Sequence, residues 1–240
     1  MNWAGRGVLI LSFTLLLFIL LWSEARATPS TPTISVISNE TKSAGTGAIL
    51  NISGGYISTI NISATVQNPR WKAFVGNVTG KFTLDDASGS TIYDWSTTVT
   101  SGEIYATRNS STIDWTNITC ATTANLETEN NNMGHTNPDD NITATFSDTT
   151  HQEFFVGSIN ISQNSCPTLN TYVNSASQDT SFEEVALYEA KGGNVIYATI
   201  MENDVTGFDG QTYDFQMIVP EVGTPGFDGA TAYYLYVELS

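Results

Sequence analysis

RWKAFVGNVTGKFTLDDASGSTIYDWS, residues 70–96, is the stretch that decides the fold class. It contains two runs rich in β-branched and aromatic residues, KFTL at 81–84 and TIYDW at 91–95, which flank a polar turn. A glycine late in such a turn, here Gly89, suits a left-handed backbone position. The stretch therefore predicts two strands joined by a tight turn, and we expect its large side chains to anchor a sheet core. These side chains are Trp71, Phe74, Phe82, Tyr93 and Trp95.

Short strands between polar turns are predicted along the rest of the chain. Residues 59–66 alternate Ile, Ile, Ala and Val with polar residues, which indicates a half-buried strand. Residues 182–189 and 195–200 flank a Gly-Gly turn and predict a hairpin, although 182–189 alone could form a short helix. Residues 124–141 are polar, contain an asparagine run and predict a long surface loop. Further strands are predicted at 34–37, 113–118, 142–146, 153–161, 212–219 and 231–239.

The fold class predicted from this pattern is all-β. No stretch after residue 27 has a clear helical period, and many short strands at even spacing are typical of a sandwich or barrel. We expect an antiparallel β-sandwich of jelly-roll or immunoglobulin-like type with roughly ten strands. It would form a single domain over residues 34–240, after a Pro/Thr/Ser-rich linker at 28–33.

Residues 1–27 predict a secretory signal peptide. Arg6 precedes an apolar run at 8–22, and a small-residue Ala-x-Ala site ends at Ala27. The run is shorter than the roughly 20 apolar residues of a spanning helix. The alternatives are an uncleaved N-terminal anchor and a pilin-type leader cut after Gly7. The protein would then be secreted or on the cell surface, with membrane contact only through an uncleaved leader.

The charge of the chain argues against two classes of partner. Cleavage after Ala27 leaves 213 residues with six Lys and Arg against 23 Asp and Glu, a net charge of −17. Nucleic acid and anionic lipid both need neutralising cations, so neither is an expected partner. With 40% hydrophobic and 11% aromatic residues, the chain has enough apolar side chains to form a core and is not predicted to be disordered.

The two cysteines, Cys120 and Cys166, predict one disulfide bond in a secreted chain. The bond would close a loop of 47 residues, which corresponds to about 4 kcal/mol of stabilisation on the chain-entropy estimate. Metal ligation is the alternative, but it lacks the CxxC spacing of common metal sites.

Eight N-x-S/T sequons predict N-glycosylation. A chain rich in Ser, Thr and Asn also produces sequons by chance, so occupancy depends on the host and on exposure. The sequon asparagines are Asn39, Asn51, Asn61, Asn77, Asn109, Asn117, Asn141 and Asn160.

Clustered acidic residues in two turns are candidate calcium ligands, because Ca²⁺ prefers carboxylate and carbonyl oxygens. No segment fits an EF-hand loop, and most acidic turns are simply solvated. The candidates are Asp139, Asp140, Glu202, Asp204 and Asp209.

No catalytic motif is recognisable. The sequence has no G-x-S-x-G elbow, Walker loop, dinucleotide fingerprint or HExxH site. His135 and His151 are its only imidazoles, and in so acidic a chain some pair of carboxylates is inevitable. We expect no enzymatic activity, and no cofactor apart from the calcium described above.

Four runs carry a resemblance to a known family: WKAFVGNVTGKFTLDDASGSTIYDWS, GEIYATR, WTNITC and GFDGQTYDFQMIVPE…YYLYVELS. They resemble a family of secreted, surface-type β proteins found mainly in archaeal genomes. The resemblance covers most of the chain from Gly55 onward. It implies secretion and a β fold, and it implies no activity and no catalytic or binding residue.

The function expected from these observations is that of a non-enzymatic structural protein, a filament or envelope subunit. Its partners would be copies of itself, other envelope proteins or glycans. In one form of assembly, strand donation, the first predicted strand completes the sheet of a neighbour. The donor residues would be Thr33, Ile34, Val36 and Ile37. Pairing of this strand within its own domain is the alternative.

A carbohydrate-binding module, assisted by calcium, is the second expectation. Aromatic side chains on strand faces would form its platform, although large aromatics on alternating strands usually fill a core. The candidate platform residues are Trp71, Trp95, Trp115, Tyr233, Tyr234 and Tyr236.

Overall fold

The structure, a computed structural model, describes residues 27–43, 45–96, 101–223 and 229–240. Within these residues the chain forms fourteen strands and two short helices, and every strand pair is antiparallel. The predicted all-β antiparallel fold is confirmed, and the layering described below is consistent with a β-sandwich. The predicted signal peptide lies outside the described residues, apart from Ala27.

The elements have the following bounds. The first seven strands are β1 (Trp71–Gly76), β2 (Lys81–Asp85), β3 (Thr91–Ser96), β4 (Gly102–Thr107), β5 (Ile118–Cys120), β6 (Phe154–Val156) and β7 (Ile159–Ile161). The others are β8 (Thr168–Asn170), β9 (Glu183–Glu189), β10 (Asn194–Ile200), β11 (Val205–Thr206), β12 (Thr212–Tyr213), β13 (Phe215–Pro220) and β14 (Tyr234–Leu239). The helices are α1 (Thr123–Met133) and α2 (Ile142–Thr145).

A six-stranded sheet forms the centre of the molecule, in the order β14–β4–β10–β9–β5, with β8 also paired to β9. Strand β5 pairs with the end of β9 near Glu189, and β8 pairs with the end near Glu183. The two short strands therefore lie end to end along one edge of β9. Strand β14 forms the opposite edge of the sheet.

Both faces of this sheet are buried, because alternate side chains of β4, β9 and β10 enter two separate apolar cores. Such strands consist of nearly continuous buried residues rather than an in–out alternation. The first core lies under the β1–β13 pair and both helices, and its sheet residues include Ile104, Ala106, Ala186, Val195 and Tyr197. The second core lies under the β6–β7 hairpin, and its sheet residues include Tyr105, Val185, Leu187, Ile196 and Ala198.

Both predicted hairpins are confirmed. In β2–β3, Phe82 pairs with Trp95 and Leu84 with Tyr93, and Gly89 has a φ of +80° in the connecting turn. Residues 182–189 contribute strand β9, not a helix, and β9 pairs with β10. The strands predicted at 153–161, 212–219 and 231–239 are also present in shorter or divided form, whereas only Ile118 of the predicted strand 113–118 belongs to a strand.

The predicted surface loop at 124–141 is wrong, because its first half forms α1. Thr122 and Asn125 form a reciprocal capping box at its start, and Gly134 ends it with a φ of 69°. Leu126 and Met133 are buried in the first core. The strand predicted at 142–146 is also wrong, because these residues contain the short helix α2, whose N-cap is Asn141.

The strands predicted at 34–37 and 59–66 do not form. The described residues 31–43 and 45–69 contain no strand, although their apolar pattern is that of one. The predicted role of the hairpin aromatics is wrong as well: Phe82, Tyr93 and Trp95 are exposed, whereas Trp71 and Phe74 pack against the first core as expected.

The buried carboxyl group of Glu184 makes the free energy of unfolding depend on pH. Glu184 of β9 is fully buried, its Oε2 accepts a hydrogen bond from the Ile218 N–H at 2.8 Å, and burial raises its pKa well above the usual value. In the unfolded chain Glu184 ionises near pH 4.5. Its contribution to stability is therefore fully present below that pH and is lost as pH rises towards the higher folded pKa.

Glu184→Gln should therefore stabilise the protein at pH 7 and have little effect at pH 4. The glutamine amide retains an oxygen that accepts the Ile218 N–H, and it does not ionise in the unfolded chain as Glu184 does. We expect the difference in Tm between variant and parent to move in favour of the variant by a few degrees between pH 4 and pH 7. Glu127→Gln, at an exposed position on α1, is the control and should show no such pH dependence. Equal effects of Glu184→Gln at both pH values would contradict this account.

Candidate assembly surface

The described residues 31–43 and 45–67, here called the N-terminal arm, expose an unusual number of apolar side chains. All of these residues except Pro32 are exposed. Eleven large apolar side chains are each at least 49% exposed, whereas soluble monomers rarely present large contiguous apolar surfaces. They are Ile34, Val36, Ile37, Ile49, Leu50, Ile52, Tyr56, Ile57, Ile60, Ile62 and Val66.

The arm leaves the body of the protein just after Ser30. The Ser30 N–H donates to the Val237 carbonyl at 2.9 Å, and the Val237 N–H donates back at 2.8 Å, so Ser30 pairs with the outer edge of β14. In this register the next pair of backbone groups would join Pro32 to Leu235. Proline has no N–H to donate, so the ladder ends and the chain departs from the sheet.

The arm returns to the body at Asp140. The Asn68 side-chain amide donates to Asp140 Oδ2 at 2.9 Å, and Arg70 Nη1 forms an ion pair with Oδ1 at 3.2 Å. Trp71 Nε1 donates to the Asp140 carbonyl oxygen at 2.9 Å. Because Ser30 and Asp140 hold its two ends, the arm projects as a loop rather than as a free terminus.

A second exposed apolar surface lies on the β2–β3 hairpin. Its cross-strand pairs place four side chains on one face, here called the hairpin face: Phe82, Leu84, Tyr93 and Trp95. Their exposed fractions are 41%, 56%, 60% and 49%, and the rings of Tyr93 and Trp95 meet edge to face with centroids 5.0 Å apart. The opposite face carries the Lys81–Asp94 ion pair and Thr83, so the hairpin is amphipathic and its apolar side is open.

The arm and the body differ sharply in charge. Residues 28–69 contain one acidic residue, Glu40, and one basic residue, Lys42, whereas residues 70–240 contain five Lys and Arg against 22 Asp and Glu. The hairpin turn contributes to the acidity of the body: hydrogen bonds from Thr91 and Thr83 lower the pKa of Asp85, and backbone N–H groups lower that of Asp86. The arm is thus a neutral, apolar segment attached to a strongly anionic body.

The platform of six aromatics expected from the sequence is not assembled. Trp115 packs on Tyr105 and Tyr236 with ring centroids 5.1 and 5.2 Å apart, beside the second core. Trp71 and Tyr233 pack against the first core. Among the six candidates only Trp95 and Tyr234 are exposed. The exposure of the hairpin face could not be predicted from the sequence. Period-two alternation indicates that a strand is amphipathic, but it does not show whether the apolar face is covered.

Both histidines hold backbone groups inside the protein. His151 Nε2 accepts hydrogen bonds from the N–H groups of Ser165 and Cys166 at 3.0 and 3.1 Å, which fixes its neutral form with Nδ1–H donating to the Gln152 carbonyl. His135 Nε2 lies 2.6 Å from the Glu221 carbonyl oxygen. Each imidazole is 1% exposed.

An acidic cleft of about 570 Å³ opens beside the start of β4. Glu103, Glu153 and Glu202 line it, and burial raises the pKa of Glu202 against the hydrogen bond that its Oε1 accepts from the Phe182 N–H. This geometry does not test the expectation that the protein is not an enzyme, which stays a prediction.

The calcium candidates lie in separate places. Asp140 is occupied by the contacts with Asn68 and Arg70, and Asp209 accepts hydrogen bonds from Tyr213 and Gln211. No group of three or more His, Cys, Asp or Glu suited to a metal ion occurs in the part of the chain that the structure describes. Calcium binding by Asp139, Asp140, Glu202, Asp204 or Asp209 stays a prediction.

Most sequon asparagines are accessible. Six are exposed, and two are half-buried. One of these two is Asn141, whose side-chain oxygen caps α2 by accepting the Ala144 N–H at 2.7 Å, and the other is Asn109. The exposed sequons are Asn39, Asn51, Asn61, Asn77, Asn117 and Asn160.

These features define an all-β antiparallel protein with a neutral projecting arm and an amphipathic hairpin. Comparisons with protein-family models, curated proteins and solved structures found no match to this chain. The resemblance to archaeal surface proteins therefore rests on the sequence motifs alone. Among the described residues, no helix is both long and apolar enough to span a membrane.

The predicted disulfide is confirmed. Cys120, in β5, is bonded to Cys166, which is fully buried in the second core. The bond joins the two ends of the segment that contains α1, α2 and the β6–β7 hairpin. A structural disulfide is compatible with an extracellular location.

Removal of the disulfide should destabilise the protein by about 4 kcal/mol, since the unfolded chain would regain the freedom of a 47-residue loop. Urea unfolding of Cys120→Ser/Cys166→Ser against the oxidised parent measures this difference. Reductant should lower the unfolding midpoint of the parent and leave that of the double variant unchanged. Equal midpoints for parent and variant would show that the bond contributes nothing.

Proposed function

We propose that this protein is a non-enzymatic, secreted or cell-surface structural protein that assembles with copies of itself through the N-terminal arm. The observation that carries the proposal is the arm: a neutral segment with eleven exposed large apolar side chains, attached to a folded acidic body. Exposed surface of this kind marks an interaction site in a soluble protein. The disulfide supports the extracellular location.

The pattern of the arm suits a strand that is completed by a neighbour. In an extended chain Ile60, Ile62, Ala64 and Val66 lie on one face, and the polar residues between them lie on the other. The segment 33–37 after Pro32 has a shorter apolar face, formed by Ile34 and Val36. Addition of such strands to an exposed sheet edge would satisfy their backbone N–H and C=O groups and bury the apolar face together.

The sequons of the arm are compatible with this arrangement. Asn61 lies between Ile60 and Ile62, so in a strand its side chain points away from their face. A glycan at Asn61 would therefore leave the apolar face free to dock. Asn39 and Asn51 lie outside both segments.

The charge of the body is compatible with a second copy as partner, provided that the contact is made through the arm. Two bodies that each carry a net charge of −17 over residues 70–240 repel one another, and an arm without net charge provides contact without placing the acidic bodies face to face. A neutral donor of this kind also predicts that assembly increases with ionic strength, as the repulsion between bodies is screened.

Substitution of the long apolar face should abolish assembly without unfolding the body. Ile60→Thr/Ile62→Thr/Val66→Thr retains β-branched shapes but removes the apolar face, and these side chains are exposed, so the Tm of the monomer should not change. Ile34→Thr/Val36→Thr tests the shorter face in the same way. Sedimentation velocity and negative-stain imaging of the secreted chain measure the assembly state.

The matched control changes the other face of the same segment. Asn61→Gln/Thr65→Ser should assemble like the parent. A parent chain that stays monomeric at high protein and salt concentration would overturn the proposal, and so would unimpaired assembly of both arm variants.

A further inference from the structure

Building on the proposed function, we propose that the hairpin face is the acceptor for the arm: residues 59–66 of one copy dock on Phe82, Leu84, Tyr93 and Trp95 of a second copy. The donor and the acceptor would then be two distinct surfaces of the same chain.

The hairpin needs a cover for its apolar side. An isolated two-stranded hairpin is marginally stable in water, and independent stability needs further strands or a packed face. Strands β2 and β3 pack chiefly on each other, and the four side chains of the hairpin face remain 41–60% exposed. No other strand among the described residues pairs with either edge, so within this part of the chain the edges and the apolar face are available to an added segment.

The spacing of the two apolar patterns matches. Phe82 and Leu84 on β2, and Tyr93 and Trp95 on β3, are each two residues apart, which is about 6.6 Å along a strand. Ile60, Ile62, Ala64 and Val66 repeat at the same interval along the arm. If the extended arm pairs with an edge of the hairpin, its apolar side chains extend the hairpin face with the same two-residue spacing.

Charge favours the arm over another part of the body as the occupant. The hairpin, residues 81–96, carries Lys81 against Asp85, Asp86 and Asp94, and hydrogen bonds keep the pKa values of Asp85 and Asp86 low. An acidic surface of a second copy would be repelled by this hairpin. Residues 59–66 contain no charged side chain.

The area of the contact favours repeated weak junctions. The exposed parts of the four side chains present on the order of 400 Å² of apolar surface, about half of what one partner contributes to a standard interface. The rest must come from backbone pairing at the hairpin edge and from other parts of the arm. Because donor and acceptor differ, the contact is heterologous and can propagate from copy to copy.

The arm of the same chain does not cover this face in the structure. The arm is held at Ser30 and Asp140, and its apolar side chains and those of the hairpin face are exposed at the same time. Both surfaces are therefore open in a single copy, as a junction between copies requires.

Mixing of two complementary variants tests the proposal. The arm variant is Ile60→Thr/Ile62→Thr/Val66→Thr, and the hairpin variant is Tyr93→Thr/Trp95→Thr. Phe82→Thr/Leu84→Thr on the partner strand is a second hairpin variant, in case the first fails to fold. The control is Ile92→Thr, because Ile92 is 80% exposed and, at the register shift in the hairpin, pairs with none of the four residues of the hairpin face. Circular dichroism and the Tm establish folding, and sedimentation equilibrium measures self-association.

We expect each variant alone to associate at least tenfold more weakly than the parent, and the Ile92→Thr control to behave like the parent. A mixture of arm variant and hairpin variant should form 1:1 heterodimers that do not grow, because each mixture contains one intact donor and one intact acceptor.

Two outcomes would overturn the inference and separate its failure from that of the proposed function. Loss of assembly in the arm variant, together with normal assembly in both hairpin variants, would retain arm-mediated assembly and remove the hairpin as acceptor. Glycan-array binding that the hairpin variants lose while they still assemble would assign the face to carbohydrate instead. Unimpaired assembly of the arm variant would also remove this inference, and the proposed function would fall with it if Ile34→Thr/Val36→Thr assembled normally as well.

Discussion

Burial of both faces of the central sheet is the constraint on which the rest of the structure depends. Strands β4, β9 and β10 send alternate side chains into two cores, so each face needs its own cover. A buried carboxyl group links each cover to the sheet through a backbone N–H. Glu184 accepts the Ile218 N–H of β13 on one face, and Glu238 accepts the Gly157 N–H of the β6–β7 turn on the other.

Neither core depends on a residue of the arm. The covers are completed by residues 71–76, by the helices and by the β6–β7 hairpin, and the disulfide ties the segment that supplies the last two. The arm adds no residue to either core. It is held to the body at Ser30 and near Asp140, and its Glu40 lies within electrostatic reach of Tyr213. Its apolar side chains therefore stay in water unless another molecule covers them, which links the packing of the body to the proposed assembly.

The sequence predicted those parts of the fold that local chemistry determines. Gly89 and the Gly192-Gly193 turn mark hairpins because few other residues adopt the required backbone conformations. Helix α1 was missed because its buried side includes Glu129, which a bidentate pair with Arg108 makes tolerable, and Asn130, which bonds to Thr143 and to the Ile142 N–H. A helix whose buried side contains polar residues has the sequence pattern of a polar loop, because the partners of these residues lie elsewhere in the chain.

Of the candidate assembly surface, the sequence predicted the donor segment but not the acceptor face. Alternating apolar residues at 59–66 indicate a strand, but a pattern cannot show that none of the residues the structure describes pairs with that segment. Likewise Tyr93 and Trp95 mark an apolar face without showing whether it is covered. Donor residues could thus be proposed from sequence, whereas the acceptor required knowledge of which faces the fold leaves open.

Hydrogen–deuterium exchange of the arm tests the central claim most directly, because it reports whether residues 59–66 become strand only when copies meet. In dilute solution their amides should exchange at nearly unprotected rates. In the assembled protein they should be protected by a factor of about 100 or more, as expected for strand amides with partners. Equal protection of residues 59–66 in the dilute monomer would show that the arm packs within its own copy and would contradict the account.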